Sequence, residues 1–313
     1  MALNTTSTLP NAVRDYYDRV LLVTAYPCLI HTRFAQQRTL PLNSGDTVVF
    51  RRYNRLPTVP VPILEGITPP GALLSAQDIK ARVQFYGNYV MITNEVELTS
   101  EDYTLNQAAR LLAQNLGETL DEITYDVLAN STSSILATGG SNAQTPTNIS
   151  KADIDAVVKT LLQNNAKMIT EVIPGRCADD THPIRPSYFG MIPTALIDDL
   201  EKVSNFFSTA NYAQQGPVMP CEWGNTGNVR WLYTSVQPSN GATIPVYTIP
   251  IVGQDAYGVV SLGAENGDFY VNPLGSAGSA DPLHQRGTVG WMHPFAARIL
   301  NDAFIVNLLV THT

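Results

Sequence analysis

An α+β fold is predicted by three features of the chain. The first is a β-branched and aromatic strand, Thr47–Tyr53, followed by an excursion rich in proline and glycine. The second is a long helical stripe in which Leu105, Ala109, Leu112, Leu116, Leu120, Ile123 and Val127 recur every three or four residues. The third is the order: strand, long helix, a mixed middle, then strands again. Runs of strands and helices, rather than alternating βα units, define this class.

Each element has its own reason. Residues 1–40 read as an extended N-terminal arm with at most a short helix near Asp15 to Val23. Pro57, Pro60, Pro62, Pro69 and Pro70 forbid helix or central strand after the first strand, so the excursion is a stiff loop. Val83 to Leu98 alternates and predicts a long second strand, with a bulge allowed at Gly87. Thr99 and Asp102 stand at capping-box spacing and start a helix to about residue 130, roughly 40–45 Å long at 1.5 Å per residue. Ser131 to Asn148 reads as an exposed loop. Ser150 and Asp153 open a second helix, and Pro193 at a first helical position opens a third that reaches Val203. Strands follow at Val229 to Thr234, Val246 to Ile251, Thr288 to Met292 and Phe304 to Thr311.

A two-stranded arm that leads into a long helix suits gripping a second copy better than binding a small substrate. Composition agrees, because charged residues are 15% of the chain, against the ~25% of ordinary soluble proteins. Surfaces covered by neighbours lose charge. The net charge of −8 is unevenly spread. Residues 1–60 carry seven arginines against three acids, +4 in all, while residues 95–130 carry eight acids against Arg110, −7 in all. Arg51, Arg52 and Arg55 are therefore expected to face Glu118, Asp121 and Glu122 of an adjacent copy, which would steer association and fix register. An acidic chain grips phosphates poorly, so any enclosed DNA is held without specific binding.

The three cysteines, Cys28, Cys177 and Cys221, are far apart and imply no disulfide framework, which fits a reducing compartment. The N-terminus lacks the pattern of a signal peptide, and no run approaches ~18 consecutive apolar residues, so no membrane is involved. Catalytic chemistry is not indicated. No phosphate-cradling loop is present, and Gly258 to Gly263 reads as a buried strand running into a turn rather than a nucleophile elbow. Cys28 and His31 have the spacing of a ligand pair but no second pair to complete a metal site. Glu118, Asp121 and Glu122 share one turn without a histidine or lysine to work with, so a solvated or inter-subunit face is expected. Lys80 reads as an ordinary exposed lysine, with an isopeptide crosslink as the alternative. No cofactor, metal or catalytic residue is assigned.

Phe50-Arg51-Arg52-Tyr53, Leu64-Glu65-Gly66-Ile67-Thr68-Pro69, Gln84-Phe85-Tyr86-Gly87-Asn88-Tyr89 and Thr119-Leu120-Asp121 resemble the major capsid proteins of tailed bacteriophages, nearest the group typified by coliphage N4. Pro220-Cys221-Glu222-Trp223-Gly224 and Gln285-Arg286-Gly287-Thr288-Val289-Gly290-Trp291 are similar as well, so the resemblance runs from about residue 40 to the C-terminus. It implies the Hong Kong 97-like (HK97-like) coat fold. The expected divisions are an N-terminal arm at 1–40, an extended loop hairpin at 41–98, and a peripheral domain with a spine helix at 99–187. An axial domain at 188–280 and return strands of the peripheral domain at 281–313 complete them. The implied function is a major capsid protein that self-assembles into hexamers and pentamers of an icosahedral phage head around double-stranded DNA. Portal, scaffold and decorating proteins would be its partners, the virion its place, and the host cytoplasm its site of assembly. An encapsulin-like compartment shell is the alternative, since it shares the fold class.

Overall fold

The computed structural model describes residues 29–41, 45–56, 58, 65–66, 71–99, 104–138, 146–171, 183–212, 219–237, 245–262, 268–274, 276 and 281–312. The helix expected near Asp15, Cys28, the Asp102 half of the expected cap and most of the proline-rich loop lie outside them.

Two sheets and a projecting hairpin organise the chain. The first sheet holds β1 (Gln36–Leu40), β4 (Gln84–Thr93), β12 (Tyr257–Leu262), β13 (Asp268–Asn272) and β14 (Arg286–Ile299). β14 is its backbone. β4 pairs with β14 from Phe295 back to Arg286, while β13 and β12 share the opposite edge. β1 adds in parallel to β12. The second sheet has eight strands: β5 (Ser134–Leu136), β6 (Ile169–Glu171), β7 (Pro183–Pro193), β8 (Phe206–Ser208), β9 (Glu222–Thr226), β10 (Val229–Thr234), β11 (Val246–Val252) and β15 (Ile305–Thr311). β11 and β15 pair side by side, with only the short β5 beyond β15, and β15 is buried at all but one position. Near-continuous apolar runs such as Val-Tyr-Thr-Ile-Pro-Ile-Val are what strands covered on both faces require. Trp231, Tyr188 and Leu308 meet Ile154, Val157 and Leu161 of helix α3 (Lys151–Gln163) in the largest core cluster. Ser150 and Asp153, expected to open α3, do so through a capping box: the Ser150 side chain accepts from the Asp153 N–H, and the Asp153 carboxylate accepts from the Ser150 N–H.

Helix α2 (Thr104–Ala129) ties the two sheets together. Its middle packs Leu112 on Val289 and Trp291 of the first sheet, and the Trp291 indole N–H donates to Asn115 at 3.2 Å. Its C-terminal end reaches the second sheet. There the Asn307 side chain of β15 donates to the carbonyls of Leu128 and Ala129 at 2.9 and 3.0 Å, satisfying acceptors that a helix end leaves orphaned. Gly117 lies where Leu29 crosses the helix; a Cβ there would stand 2.5 Å from Leu29 Cδ1. A mid-helix glycine costs about 1 kcal/mol, which the close crossing offsets.

Four expectations change. The long strand of residues 83–98 ends at Thr93, and helix α1 (Asn94–Thr99) begins there. Val96 and Leu98 mimic alternation, but Val96 is buried and Leu98 is exposed, so they do not share a face. Upstream, β3 (Ala76–Arg82) pairs with β2 (Thr47–Tyr53), so the partner of the basic strand lies before Val83 rather than after it. The expected loop of 131–148 contains β5, which pairs in parallel with β15; three residues are too few for a periodic signal. Pro193 ends β7 in an extended conformation, and only a 3₁₀ turn and a five-residue helix, α4 (Ile197–Glu201), follow. The sheets also cut across the expected domain boundaries. β12 and β13, from the range given to the axial domain, join β4 and β14, whereas the final strand β15 enters the other sheet. Apolar patterning marks strands but carries no record of which strand each one pairs with.

Cys221 is disulfide-bonded, although its spacing from the other cysteines implied no disulfide framework; Cys28 and Cys177 lie outside the described residues. Beyond β15, His312 Nδ1 stands 2.7 Å from Asp199 of α4, which also receives Lys202 at 3.2 Å. Burial pushes the Asp199 carboxyl up, but the hydrogen bonds from His312 and Lys202 outweigh it and hold its pKa below the ordinary 3.8. A lowered carboxyl stabilises the fold above its unfolded pKa and loses that contribution as pH falls through the folded value. Thermal midpoints of the protein and of Asp199→Asn should therefore differ at pH 6 and converge as pH falls below about 3.8.

Candidate assembly site

The feature that leaves the body is the β2–β3 hairpin. Its seven pairs run from Thr47 opposite Arg82 to Tyr53 opposite Ala76, and the Asn54 N–H to Ser75 carbonyl bond extends the ladder. Alternation splits the ribbon into two faces. Phe50 and Ala81 are buried with Val83, Val260, Ala296 and Leu300, while Val49, Arg51, Tyr53, Asp78 and Lys80 face outward. Further out the ribbon carries Tyr53, Leu56, Leu73 and Leu74, all exposed; Leu73 is 92% and Leu74 74% exposed. Four large exposed apolar side chains at and beyond the end of the ladder mark a surface built to be covered.

The arginines divide by role. Arg51 is bidentate to Asp78 across the ribbon at 2.8 and 3.1 Å, and this contact lowers the Asp78 pKa and raises that of Arg51. Arg52 turns inward, donating to Asn301 Oδ1 at 2.6 Å and to Gln77 at 3.0 Å, so it fixes the ribbon to the body. Arg55 is exposed beyond the ladder. Among the acids, Glu122 is exposed and Glu118 is half-buried, receiving Gln114 at 2.8 Å. Asp121 leaves the set that a neighbour can reach, because it is 0% exposed. Its position on the inner side of α2 commits it to its own chain.

Asp121 holds the segment that enters β1. Its Oδ1 accepts the His31 N–H at 2.8 Å, and its Oδ2 lies 2.6 Å from His31 Nδ1. The His31 ring tilts against Tyr125, and the Tyr257 hydroxyl donates to the His31 carbonyl. Burial and the Asp121 charge raise the Tyr257 pKa far above its ordinary value, so it stays a donor. Three residues on, Phe34 stacks on Phe189 at 4.2 Å, and Arg33 donates to the Pro220 carbonyl. The His31 Nδ1 is thus taken up by a core contact, and Cys28, its considered partner, lies outside the described residues. No group of three or more potential metal ligands gathers among the described residues. The residues 258–262 of the considered elbow lie in β12. No helix of the described chain is long and apolar enough to cross a membrane.

Two packed sheets bridged by one long helix, with a two-stranded ribbon seated on the first sheet, match the HK97-like coat fold. The chain belongs to the phage capsid protein family, whose model matches residues 76–302. Its fold is similar to the head protein of Helicobacter pylori bacteriophage KHP40, with TM-score 0.67, 12% identity, and 99% of this chain and 97% of that chain covered. It is also similar to the capsid of Ralstonia phage GP4, with TM-score 0.70, 13% identity and coverage of 97% and 96%. The capsid of cyanophage P-SCSP1u matches with TM-score 0.63, 13% identity and coverage of 96% and 93%. No curated protein matches by sequence. The chain is a phage capsid protein, a structural subunit with its place in the virion capsid. The assignment stands at the level of the family and does not extend to the coliphage N4-type group.

Proposed function

We propose that this subunit closes hexamers and pentamers into an icosahedral head around double-stranded DNA, and that it performs no catalysis. The β2–β3 hairpin carries the reading: its described residues beyond the ladder include exposed leucines, and the chain belongs to the phage capsid protein family. The net charge of −8 favours enclosing DNA without gripping it. Assembly takes place in the host cytoplasm, with a portal, and with scaffold and decorating proteins where the phage encodes them. Membership of the phage family favours a genome container over an encapsulin-like compartment.

The inter-subunit ion pairs centre on Arg55, because Arg51 and Arg52 are engaged within their own chain. Glu122, with Glu118 beside it, is the acid offered by the adjacent α2. Electron microscopy and sedimentation of the protein expressed alone, across concentration and salt, test the coat reading. Closed shells or hexameric rings support it; monomers under every condition count against it. Arg55→Glu should slow assembly and reduce its salt dependence, and Glu122→Arg in the same chain should restore the rate. Unchanged kinetics of Arg55→Glu would remove the pairing.

A further inference from the structure

The sequence contains a single Asp-Pro bond, Asp281–Pro282, and it falls in a turn just ahead of β14. Pro282, Leu283 and His284 face solvent, while Asp281 is buried. Two backbone donors hold Asp281. The His284 N–H donates to its carbonyl at 3.1 Å, and the Arg286 N–H donates to Oδ2 of its carboxylate at 2.7 Å. Carbonyl and carboxylate of one residue thus aim at the same short stretch, residues 284–286. The Arg286 guanidinium stands beside them, its Nε 3.9 Å from Oδ2. His284 completes the turn at φ 54°, the left-handed region in which a residue with a Cβ is strained.

This turn does more than join β13 to β14. An aspartyl carboxyl lies one methylene from its own carbonyl carbon, so attack there closes a five-membered ring, and a nucleophile delivered from within the chain escapes the cost of a bimolecular encounter. Among the described residues both contacts of the carboxylate fall on Oδ2, which leaves Oδ1 for that carbon. The proline nitrogen carries no N–H and forms a tertiary amide, so it departs as a basic secondary amine.

We propose that Asp281 cleaves its own bond to Pro282. The carboxyl attacks through Oδ1: an O–C bond to the Asp281 carbonyl carbon forms, and the C–N bond to Pro282 breaks. The carboxyl proton passes to the leaving nitrogen, and a cyclic anhydride remains on Asp281. Water opens that anhydride to two carboxyl groups, so one water is consumed and no other reactant is needed. The Arg286 N–H positions the nucleophile. The His284 N–H meets the negative charge that gathers on the carbonyl oxygen in the tetrahedral intermediate. Opening the chain also releases the strain at His284. The products are residues 1–281 and 282–313. The second holds β14, paired with β4, β12 and β13, and β15, paired with β5 and β11, so a nicked subunit keeps its shape. Once unfolded, it no longer refolds as one chain. Cleavage thus makes the folded state the only one in which the subunit persists, and it does not depend on the coat reading.

Mass spectrometry of the full chain, kept folded at mildly acidic pH with protease inhibitors, tests the proposal. A fragment beginning at Pro282 should accumulate ~tenfold or more faster than from the same chain held in urea, where nothing aligns the carboxyl. Asp281→Asn retains an acceptor for the Arg286 N–H but has no carboxyl, and Pro282→Ala retains the carboxyl but changes the leaving amine. With circular dichroism verifying that they fold, both should stay whole over the same period. A folded chain that stays whole, cleavage no faster than in urea, or cleavage of Asp281→Asn at the unaltered rate each overturns the proposal. The urea comparison needs no variant, so it decides even where a variant fails to fold.

Discussion

Arg230→Met should lower the free energy of unfolding by about 3–5 kcal/mol, the usual penalty for removing one partner of a buried ion pair. Glu222 is 6% and Arg230 8% exposed. The guanidinium is bidentate, Nε to Oε1 at 2.8 Å and Nη2 to Oε2 at 2.5 Å. After the change Glu222 keeps two neutral donors, the Tyr212 hydroxyl at 3.1 Å and the Met219 N–H at 3.0 Å. Two neutral hydrogen bonds do not offset an isolated carboxylate in a dry site. The loss also spreads. Arg230 lies 5.7 Å over the Phe189 ring, whose other partner is Phe34, so the entry of the N-terminal segment loosens with it. Replacing both charges, Arg230→Met with Glu222→Leu, should recover more than half of the loss, because no buried charge then remains. Urea unfolding below the assembly concentration measures each value. A single-variant loss under about 1 kcal/mol would mean that solvent reaches the pair.

Local order was legible where one short segment carries its own instructions. Ser150 and Asp153 reach each other across three residues, and they open α3 as expected. The strand at Thr47–Tyr53 follows from its β-branched and aromatic residues, and the stripe of α2 from its period. The basic arm was visible too, but charge counts say nothing of distance. Arg51 found Asp78 on the neighbouring strand before any neighbouring subunit could compete. Asp121 looked like its flanking acids because composition does not reveal which side of a helix faces a crossing segment. That segment, Leu29 to Ala35, joins α2 across 90 residues of sequence, a separation at which no periodicity operates. The uncovered face of β4 was hidden for a related reason. Phe85, Tyr86 and Tyr89 put aromatics on both faces of β4, and only the position of α2 decides which of them is covered.

Asp121→Ala is expected to detach the N-terminal segment at a cost of about 3 kcal/mol, since it removes the acceptor of two buried donors at once. His31 is 0% exposed, so neither its backbone N–H nor its ring gains water in exchange. Its Nε2 already lacks a partner in the folded protein, which leaves Asp121 as the main polar tether of the ring. The effect should be local in the first instance. Residues 36–40 stay paired with β12, and the eight-stranded sheet draws its core from Trp231, Tyr188 and the residues of α3. Hydrogen exchange should therefore quicken at residues 30–35 and in α2 near Asp121, while amides of β10 and β11 keep their protection. Asp121→Asn keeps one acceptor and the shape of the side chain, and should lose roughly half as much. The assembly consequence follows from position: the freed segment leads into β1, and β1 borders the cleft under the hairpin with Phe50 and Arg52. A subunit whose lead into β1 is untethered presents its hairpin less uniformly, so Asp121→Ala should yield irregular or incomplete shells even where the folded fraction is high. Regular shells together with fast exchange at residues 30–35 would separate the tether from hairpin placement.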